Sequence, residues 1–377
     1  MEGAVLVDEL RRIGLGAGLA AVGVTTAEVL EPARTVLHQR KAAGLHGTMQ
    51  FTYRNPDRST DPGRILSGAR SLVVGAYAYR RTAPPDPIGP AGRVASYAWR
   101  DHYAELDGGL QAIAHRLRTD GWQARVVADD NALVDRAAAW RAGLGWFGKN
   151  ANVLLPGHGS WFVLGAVVTD AALPPAPQPV SDGCGGCTRC LEGCPTGAIV
   201  APGVVDARRC LAWLVQAPGS IPVELRPAVG DRLYGCDDCQ EVCPPNRSGD
   251  RRHPPPAAEP DSEPSVDLGW LLEADDAEVL DRLGRWYIPR RDPDHLRRNA
   301  LVVLGNTGDP GDAWTVSTVE RFRRHPNPML RAHATWAARR LGLVDAPDPA
   351  DDDPVVGVEW ALAVPPRVAG AADPHPS

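Results

Sequence analysis

Eight cysteines lie between residues 184 and 243, and their spacing is typical of iron–sulfur ligands. The run C-x2-C-x2-C-x3-C-P spans 184–195, and C-x2-C-x3-C-P spans 236–244, with Cys210 between them. In two-cluster ferredoxins the last cysteine of a run ligates the other cluster. The spacing therefore predicts two 4Fe–4S clusters with crossed ligands. The first set is Cys184, Cys187, Cys190 and Cys243, and the second is Cys194, Cys210, Cys236 and Cys239.

Structural zinc is the alternative for cysteines at this spacing. Zinc sites usually combine two C-x2-C pairs or include histidines. The triple repeat, the Cys-Pro that ends each run and the lack of histidine between the runs favour iron–sulfur. Two such clusters pass single electrons. No G-x-G-x-x-G motif follows a predicted strand, so a dinucleotide acceptor is not indicated.

The composition is that of a globular protein with more than one domain. The chain has 377 residues, 44% of them hydrophobic and 23% charged, with a net charge of −6, so it is not basic overall. No apolar run approaches the ~18 residues of a membrane span. The N-terminus, MEGAVLVDELRRIG, lacks the pattern of a secretory signal. We expect a cytoplasmic protein without membrane association, in which cysteines serve as ligands rather than disulfides.

The elements that must position the cysteines form successive segments. Within residues 1–170, strand-like stretches alternate with helix-like ones, which predicts an α/β domain. The strand-like stretches are 71–79, 123–129 and 161–170, and the helix-like ones are 102–121 and 132–145. A proline-rich linker is predicted at 171–183 and a ferredoxin-type domain at 184–250.

Residues 266–343 show helical periodicity. LRRNALVVLG (296–305) and LRAHATWAARRLG (330–342) share their ends and an alanine four residues after the first leucine, which predicts a HEAT-like repeat. Between 281 and 340 there are twelve arginines and six acidic residues. This segment is either a solvated helical surface or a surface that binds phosphates. The tail, 344–377, is predicted to be disordered.

The sequence resembles the epoxyqueuosine reductase family over roughly residues 5–345. The most specific match is DDNALVDRAAAWRAGLGWFGKN (129–150), followed by GSWFVLGAVVTD (159–170). The other matches are RNPDRSTDPGRILSGARSLVVGAYAY (54–79), YAWRDHYAEL (97–106), the cysteine runs and RNALVVLGN (298–306). The chain departs from the family pattern at Asp130, Ala132 and Asp135, where the family usually has serine, proline and glutamate. His102 and Tyr103 stand in swapped order, so the chain resembles a divergent member.

The resemblance implies an oxidoreductase with cobalamin and two 4Fe–4S clusters that reduces epoxyqueuosine to queuosine in the anticodon loop of tRNA. Electrons would pass through the clusters to make cob(I)alamin, and an aspartic acid would protonate the opened epoxide oxygen. Counting without a gap from Trp146 assigns that proton to Asp129. Burial near the corrin would raise its pKa. The alternative role for Asp129 is to cap the following helix.

The resemblance also implies cofactor contacts, and the basic repeat implies tRNA contacts. The expected cofactor-binding residues are Arg58, Tyr97, Asp129, Lys149, Gln240 and Glu241. The residues expected to bind the tRNA backbone are Arg297, Arg298, Arg331 and Arg339. We further expect a one-electron donor of the ferredoxin or flavodoxin type and a monomeric protein.

Two other functions stay open at this point. One is a corrinoid iron–sulfur reductase of a small substrate, such as a reductive dehalogenase; the basic helical segment and the absence of an export signal argue against it. The other is a ferredoxin-type electron carrier, against which the large N-terminal domain argues.

Overall fold

The computed structural model describes residues 2–85, 87–177 and 180–364. The strands of these residues are β1 (Ala21–Thr26), β2 (Ser71–Ala78), β3 (Ala91–Val94), β4 (Ala124–Ala128), β5 (Trp146–Phe147), β6 (Val153–Leu154), β7 (Phe162–Thr169), β8 (Ile199–Ala201), β9 (Val204–Val205), β10 (Arg232–Tyr234) and β11 (Ser265–Asp267). Short 3-10 turns lie at Pro62–Arg64, Ser96–Ala98, Val223–Leu225 and Pro289–Arg291.

The helices are more numerous in the C-terminal half. They are α1 (Glu2–Gly16), α2 (Glu31–Ala42), α3 (Pro56–Ser59), α4 (His102–Thr119), α5 (Asp135–Arg141), α6 (Arg189–Glu192), α7 (Leu211–Leu214), α8 (Arg226–Val229), α9 (Asp238–Glu241), α10 (Pro244–Arg252), α11 (Leu268–Glu273), α12 (Asp276–Leu283), α13 (Asp294–Thr307), α14 (Ala313–Arg323), α15 (Pro328–Arg340) and α16 (Pro354–Ala361).

The chain forms two compact units, and each is assembled from separate stretches of sequence. The first contains Met1–Pro84, Ser96–Cys210 and Asp237–Ser262, and the second contains Pro85–Ala95, Leu211–Cys236 and Glu263–Ser377. The predicted domains instead followed one another along the chain, with boundaries near 170 and 250. The cysteine-rich segment is therefore divided, because Cys236 closes a stretch of the second unit.

A four-stranded antiparallel sheet is the centre of the first unit. Its order is β1-β2-β7-β4, and β2 pairs with β7 from Ser71↔Thr169 to Ala78↔Phe162. Helices cover both faces of the sheet. Successive side chains of a strand point to opposite sides, so one strand contributes to both cores. Val73 packs in a core with α4 residues such as Leu110, whereas Val74 packs in a core with α5 residues such as Ala138. The predicted mixture of strands and helices is confirmed, and β4 ends at the catalytic candidate.

The second unit combines a small sheet with packed helices. β3 is the central strand, parallel to β10 and antiparallel to β11. Helices α13 and α15 pack closely: a Cβ at Gly305 would lie 2.6 Å from the Trp336 ring and 2.9 Å from the Ala337 backbone. This approach explains the Leu-Gly ending of the first repeated segment. The helical character of this segment is confirmed, and its assignment as a HEAT-like repeat stays a prediction.

The predicted disorder of the tail is wrong for its first part. Helix α16 begins after Asp353, whose side chain accepts the Val355 amide hydrogen, and it buries Val356 and Glu359. Glu359 forms a two-point ion pair with Arg226, at 2.7 and 2.8 Å. The composition of the tail gave no sign that Glu359 has a buried partner. Residues 365–377 of the predicted disordered tail lie outside the described residues.

Candidate active site

The thiols of the two cysteine runs lie close enough for the charge of one to affect the pKa of another. Burial raises the pKa of Cys243 to about 11, and the nearby thiols of Cys184, Cys190 and Cys187 raise it as well. Cys243 therefore lies with three thiols of the first run, although it is separated from them by more than fifty residues of sequence. Within the described residues, no three of these side chains are placed closely enough to hold a metal ion, so the four-cysteine ligand set stays a prediction.

Cys239 lies in a second group of thiols. Burial raises its pKa well above the usual range, and next in size is the effect of Cys210. Asp237, Cys194 and Cys190 act in the same direction. Two thiols of the first run, Cys194 and Cys190, thus lie near Cys239, and the division of the cysteines between two crossed ligand sets stays a prediction. The sulfur of Cys194 also accepts the Ala198 amide hydrogen at 3.2 Å.

The segment that follows β5 holds both cysteine runs. The Lys149 ammonium donates to the carbonyl oxygens of Gly185 at 2.7 Å and Cys187 at 2.9 Å. The side-chain amide of Asn150 donates to the Cys239 carbonyl oxygen at 3.2 Å. Glycine makes the β5–β6 hairpin possible, since a Cβ at Gly145 would lie 2.1 Å from the Leu154 carbonyl oxygen. Lys149 thus holds the loop of the first cysteine run, and its expected contact with a cofactor stays a prediction.

Asp129 lies directly after β4 in a strained backbone conformation. Its φ is +48°, in the left-handed region that residues other than glycine rarely adopt. No hydrogen bond or ion pair to its carboxylate is found within the described residues. Although the residue is exposed, surrounding protein removes part of the hydration of its carboxyl group. This desolvation, followed by the charges of Asp135, Asp101 and Asp130, raises the pKa of Asp129 to about 6.

Asp130 has a different role from its neighbour. Its carboxylate accepts the Ala132 amide hydrogen at 2.8 Å, a turn contact of the kind that aspartate commonly makes. The helix that follows begins at Asp135, and its preceding residue, Val134, makes no side-chain cap. Asp129 therefore does not cap the helix, which removes the structural alternative for this residue. Of the two adjacent acids, Asp130 is the one whose carboxylate takes part in the turn.

A cleft of about 400 Å³ borders the segment that carries Asp129. Its lining residues are Phe51, Arg54, Asn55, Arg58, Ser59 and Asn131. The Ser59 hydroxyl donates to the Asn131 carbonyl oxygen at 2.6 Å, and the Val134 amide donates to the Ser59 carbonyl oxygen at 2.9 Å. These bonds fix the aspartate loop to the wall of the cleft. Arg58, an expected cofactor residue, is thus brought near the loop of Asp129.

The remaining expected cofactor residues lie in the same unit and differ in their burial and in their hydrogen bonds to the protein. Gln240 is buried, and its amide nitrogen donates to the Tyr79 hydroxyl at 3.0 Å and the Ser160 carbonyl oxygen at 3.1 Å. Its side chain is therefore used to support the fold. Tyr97 is half-buried in the 3-10 turn Ser96–Ala98, against the core of β2 and α4. Glu241 is half-buried, and its carbonyl oxygen accepts the Arg247 side chain.

The structure contradicts the expected role of the two arginines on α13. Arg298 is fully buried, and its guanidinium donates to backbone carbonyl oxygens that include Ala217 and Leu214. Arg297 is almost fully buried and forms ion pairs with Asp276 at 2.7 Å and Asp294 at 2.8 Å. Neither side chain can reach a phosphate. The number of arginines in this segment suggested a phosphate-binding surface, but charge alone does not show that an arginine is buried.

The two expected arginines on α15 hold the C-terminal segment. Arg331 pairs with Asp351 at 2.9 Å and Asp353 at 3.2 Å. Arg339 donates to the carbonyl oxygens of Glu359 and Leu362 and lies over the Trp360 ring. Both guanidinium groups are engaged within the protein. They hold the tail on the helical unit, and their role in binding tRNA stays a prediction.

Some residues of the site were not recognised from the sequence. Asp101, which caps α4 by accepting the Ala104 amide hydrogen, contributes to the raised pKa of Asp129. Phe51 is 49% exposed and lines the cleft. An aromatic residue within the polar stretch HGTMQFTYR was the available signal for Phe51. For Asp101 no signal existed, since its charge acts across space.

A model for the 4Fe-4S double cluster binding domain matches residues 183–246. The epoxyqueuosine reductase of Xanthomonas campestris pv. campestris is 35% identical over 343 residues, which cover 89% of this chain and 96% of that protein. The chain belongs to the epoxyqueuosine reductase family. Members of this family are oxidoreductases. The match to a 4Fe-4S binding domain favours the iron–sulfur interpretation of the cysteines over structural zinc.

Solved epoxyqueuosine reductases share the fold. One was crystallised with an epoxyqueuosine-modified tRNA-Tyr stem loop; it matches with a TM-score of 0.83 and 29% identity, over 95% of this chain and 97% of that one. The Bacillus subtilis epoxyqueuosine reductase, in a structure whose aspartate catalytic loop is swung out of the active site, matches with a TM-score of 0.82 and 29% identity, over 95% and 98%. In the described residues, no helix is both long and apolar enough to cross a membrane.

Proposed function

We propose that this protein reduces epoxyqueuosine to queuosine in tRNA. The family membership supports the reaction, and the relative bound to an epoxyqueuosine-modified stem loop supports the substrate. Conversion of the epoxide to an alkene consumes a pair of electrons and two protons and releases water. The chain must therefore deliver electrons singly from clusters and protons from an acid.

The electrons are proposed to pass through two 4Fe–4S clusters with crossed ligands. Cys184, Cys187, Cys190 and Cys243 would hold one cluster, and Cys194, Cys210, Cys236 and Cys239 the other. Two observations support this assignment: Cys184, Cys190 and Cys187 raise the pKa of Cys243, and Cys210 raises that of Cys239 more than Cys194 or Cys190 does. An external one-electron donor of the ferredoxin or flavodoxin type would reload the clusters, and we propose that the protein acts as a monomer in the cytoplasm.

Cobalamin is the cofactor proposed for the first unit. The cleft beside the Asp129 loop is large enough for part of a corrinoid, and the exposed guanidinium groups of Arg54 and Arg58 match the phosphate of its nucleotide arm. When bound, cobalamin supplies reductive attack on an epoxide carbon. Tyr97 and Glu241 remain proposed contacts, whereas Lys149 and Gln240 are proposed to support the site through the contacts described above.

Asp129 is the proposed proton donor for the opened epoxide oxygen. The observation that carries this proposal is an unpaired carboxyl group with a pKa of about 6, held on a strained turn two residues before Asn131, which lines the cleft. A carboxylic acid of ordinary pKa would be almost entirely ionised at neutral pH, so the raised value keeps a useful protonated fraction. The aspartate catalytic loop of the Bacillus subtilis relative supports this location.

The test compares Asp129→Asn with Asp130→Asn. Asparagine tolerates the left-handed backbone and keeps the size of the side chain, so only the acid is removed. Asp129→Asn should lose on the order of 10²- to 10⁴-fold in rate, while Asp130→Asn should lose much less. Mass spectrometry of tRNA nucleosides after reaction with a chemical reductant measures the product, and iron content and visible spectra check that the cofactors are retained.

The outcomes separate the parts of the proposal. Full activity in Asp129→Asn together with loss in Asp130→Asn would move the proton donor to the neighbouring residue. A wild-type protein that holds both clusters and cobalamin but leaves epoxyqueuosine unchanged would reject the proposed substrate. In that case a small-molecule corrinoid reductase becomes the function to test.

A further inference from the structure

We propose that an aromatic and basic surface on the second unit binds unpaired nucleotides of RNA. It consists of Trp213, Tyr287, Arg290 and Arg291, and we call it the Tyr287 platform. It is separate from the four arginines that the sequence had suggested. The identity of its RNA as tRNA rests on the proposed function, whereas its chemistry is argued from its own residues.

The aromatic part is exposed and firmly held. Tyr287 is 56% exposed, and its ring stacks on Trp213 with centroids 6.3 Å apart and an interplanar angle of 27°. Its backbone amide donates to the Tyr234 hydroxyl at 2.9 Å, and that tyrosine stacks on Trp286 at 4.4 Å. A large aromatic ring with a fixed backbone and a stacked neighbour loses little freedom when a base stacks on it.

The basic part carries charge that the protein does not neutralise. Arg290 is exposed and makes no hydrogen bond or ion pair with any described residue. Arg291 is exposed and donates to the uncharged Gly284 carbonyl oxygen at 3.0 Å. By contrast, the preceding arginines, Arg282 and Arg285, both pair with Glu263. The available positive charge is therefore concentrated three and four residues after Tyr287.

The backbone at these two arginines is strained. Arg290 and Arg291 have φ values of +56° and +55°, in the left-handed region that glycine adopts without cost. Two consecutive residues with side chains in this region are unusual, and strain of this kind is found at binding sites. Glycine would relieve the strain at these two positions, but it has no side chain. With arginine at both, the turn carries two charged side chains on one short segment.

An exposed tyrosine beside two arginines that form no ion pair within the described residues matches the chemistry of single-stranded RNA. Unstacked bases lie on aromatic rings, and guanidinium groups contact the phosphates between them. A fully paired duplex keeps its bases stacked on one another and offers only phosphates. The platform therefore predicts preference for a loop over a duplex, which suits a substrate whose modified base lies in an anticodon loop.

The test uses the full-length protein with its clusters and measures RNA binding by fluorescence anisotropy. The probes are an anticodon stem loop carrying epoxyqueuosine, the same stem loop unmodified, and a duplex of equal length. Tyr287→Ala should weaken binding of both stem loops by roughly 5- to 150-fold, the range for loss of one stacked base, with little change for the duplex. Arg290→Gln should weaken all three probes and reduce the salt dependence.

Matched variants guard against a general effect on folding. Tyr287→Phe keeps the ring and should bind as the wild type does. Arg324→Gln removes an exposed arginine of the same unit that pairs with Glu320, and should change binding little. Equal stem-loop affinity in wild type and Tyr287→Ala would overturn the proposal. It would also be overturned if Tyr287→Ala bound a reduced ferredoxin or flavodoxin more weakly than wild type while its RNA binding was unchanged.

Binding and turnover separate this proposal from the proposed function. If the wild type reduces the modified stem loop, Tyr287→Ala should raise KM and leave kcat nearly unchanged. If no variant reduces the epoxide but Tyr287→Ala still loses stem-loop binding, the platform stands and the proposed reaction fails. If turnover proceeds with an unchanged KM in Tyr287→Ala, the reaction stands and the platform is rejected.

Discussion

The Lys149 ammonium lies 2.9 Å from the carbonyl oxygen of Cys187, inside the loop of the first cysteine run. With its second bond, to Gly185, it ties this loop to the segment after β5. A charged donor to two carbonyl oxygens is a strong contact, because charged hydrogen bonds exceed neutral ones in strength. Lys149 thus holds the backbone of the loop that carries the proposed ligand Cys187.

Lys149→Met should reduce the retention of the cluster held by the first run. The variant keeps the length of the side chain and removes the donor, so the loop of Gly185 and Cys187 loses its anchor. Iron and sulfide content after anaerobic gel filtration measures the loss. The control is Lys41→Met, which removes the only other lysine of the chain, an exposed one. Equal iron retention in both variants would show that Lys149 does not anchor the loop.

The crossed ligand sets predict which cluster each cysteine variant damages. Cys243→Ser should disturb the cluster of Cys184, Cys187 and Cys190, since Cys243 lies with these thiols. Cys194→Ser should disturb the other cluster, that of Cys239 and Cys210. Electron paramagnetic resonance of the dithionite-reduced variants distinguishes the two clusters. Damage confined to the cluster of each variant's own run would refute the crossed assignment.

The pH dependence of turnover should have a descending limb near the pKa of Asp129, about 6. A proton donor is active in its protonated form, so the rate falls as pH rises through this value. Among neighbouring charges, Asp135 contributes most to the raised pKa. Asp135→Asn should therefore lower the pKa of Asp129 and move the limb to lower pH. A limb that does not move in single-turnover pH profiles would exclude this influence.

Asp129 should also make stability depend on pH. Its pKa is raised in the folded protein, so the folded state binds the proton more tightly than the unfolded state does. Ionisation therefore costs stability as pH rises from about 4 to above 6, and below this window the cost is absent. Asp129→Asn should be more stable than wild type at pH 8 and equal to it at pH 4 in thermal unfolding. The reverse order would contradict the raised pKa.

The buried pair of Arg226 and Glu359 should make α16 necessary for stability. Burial lowers the pKa of Arg226 and raises that of Glu359, so loss of hydration outweighs the mutual attraction for both groups. Removing one partner leaves an unpaired buried charge, which typically costs about 3–5 kcal/mol. Glu359→Gln should therefore lower the free energy of unfolding by this order, measured in urea.

The control for the buried pair is Glu320→Gln, which breaks a partly buried contact with Arg323 and an exposed one with Arg324. Surface pairs contribute about 0–1 kcal/mol, so this variant should be close to wild type. Similar losses in the two variants would mean that the buried pair has no special role, and that α16 contributes through other contacts such as Val356.

Local patterns predicted the parts of the structure that depend on neighbours in sequence. The apolar stretch 71–79 became β2, and 161–170 became β7, because a continuous apolar run can be buried on both faces of a sheet. Cysteine spacing identified the cluster domain. The predicted helix 132–145 is shorter, Asp135–Arg141, since Asp130 and Ala132 form a turn before it.

Contacts between distant residues were beyond prediction from sequence. Arginine is usually a surface residue, yet the guanidinium of Arg298 is surrounded by carbonyl oxygens of the 214–219 segment. The acidic residues of the tail suggested disorder, whereas Asp351 and Asp353 pair with Arg331. The elevated pKa of Asp129 depends on Asp101, which lies on another element. Such pairings depend on topology, which single-sequence patterns do not determine.

Strand β3 has a consequence for how the protein is made. Arg93 pairs with Arg232 on one side and Ser265 on the other, so the strand leaves the ribosome long before its partners. At typical rates of synthesis the wait is roughly ten seconds or more. The first cysteine run emerges during this interval, while Cys243 is still unmade. With crossed ligands neither cluster can close until nearly two thirds of the chain has been translated, so iron and sulfide delivered before that point would meet an incomplete set of ligands.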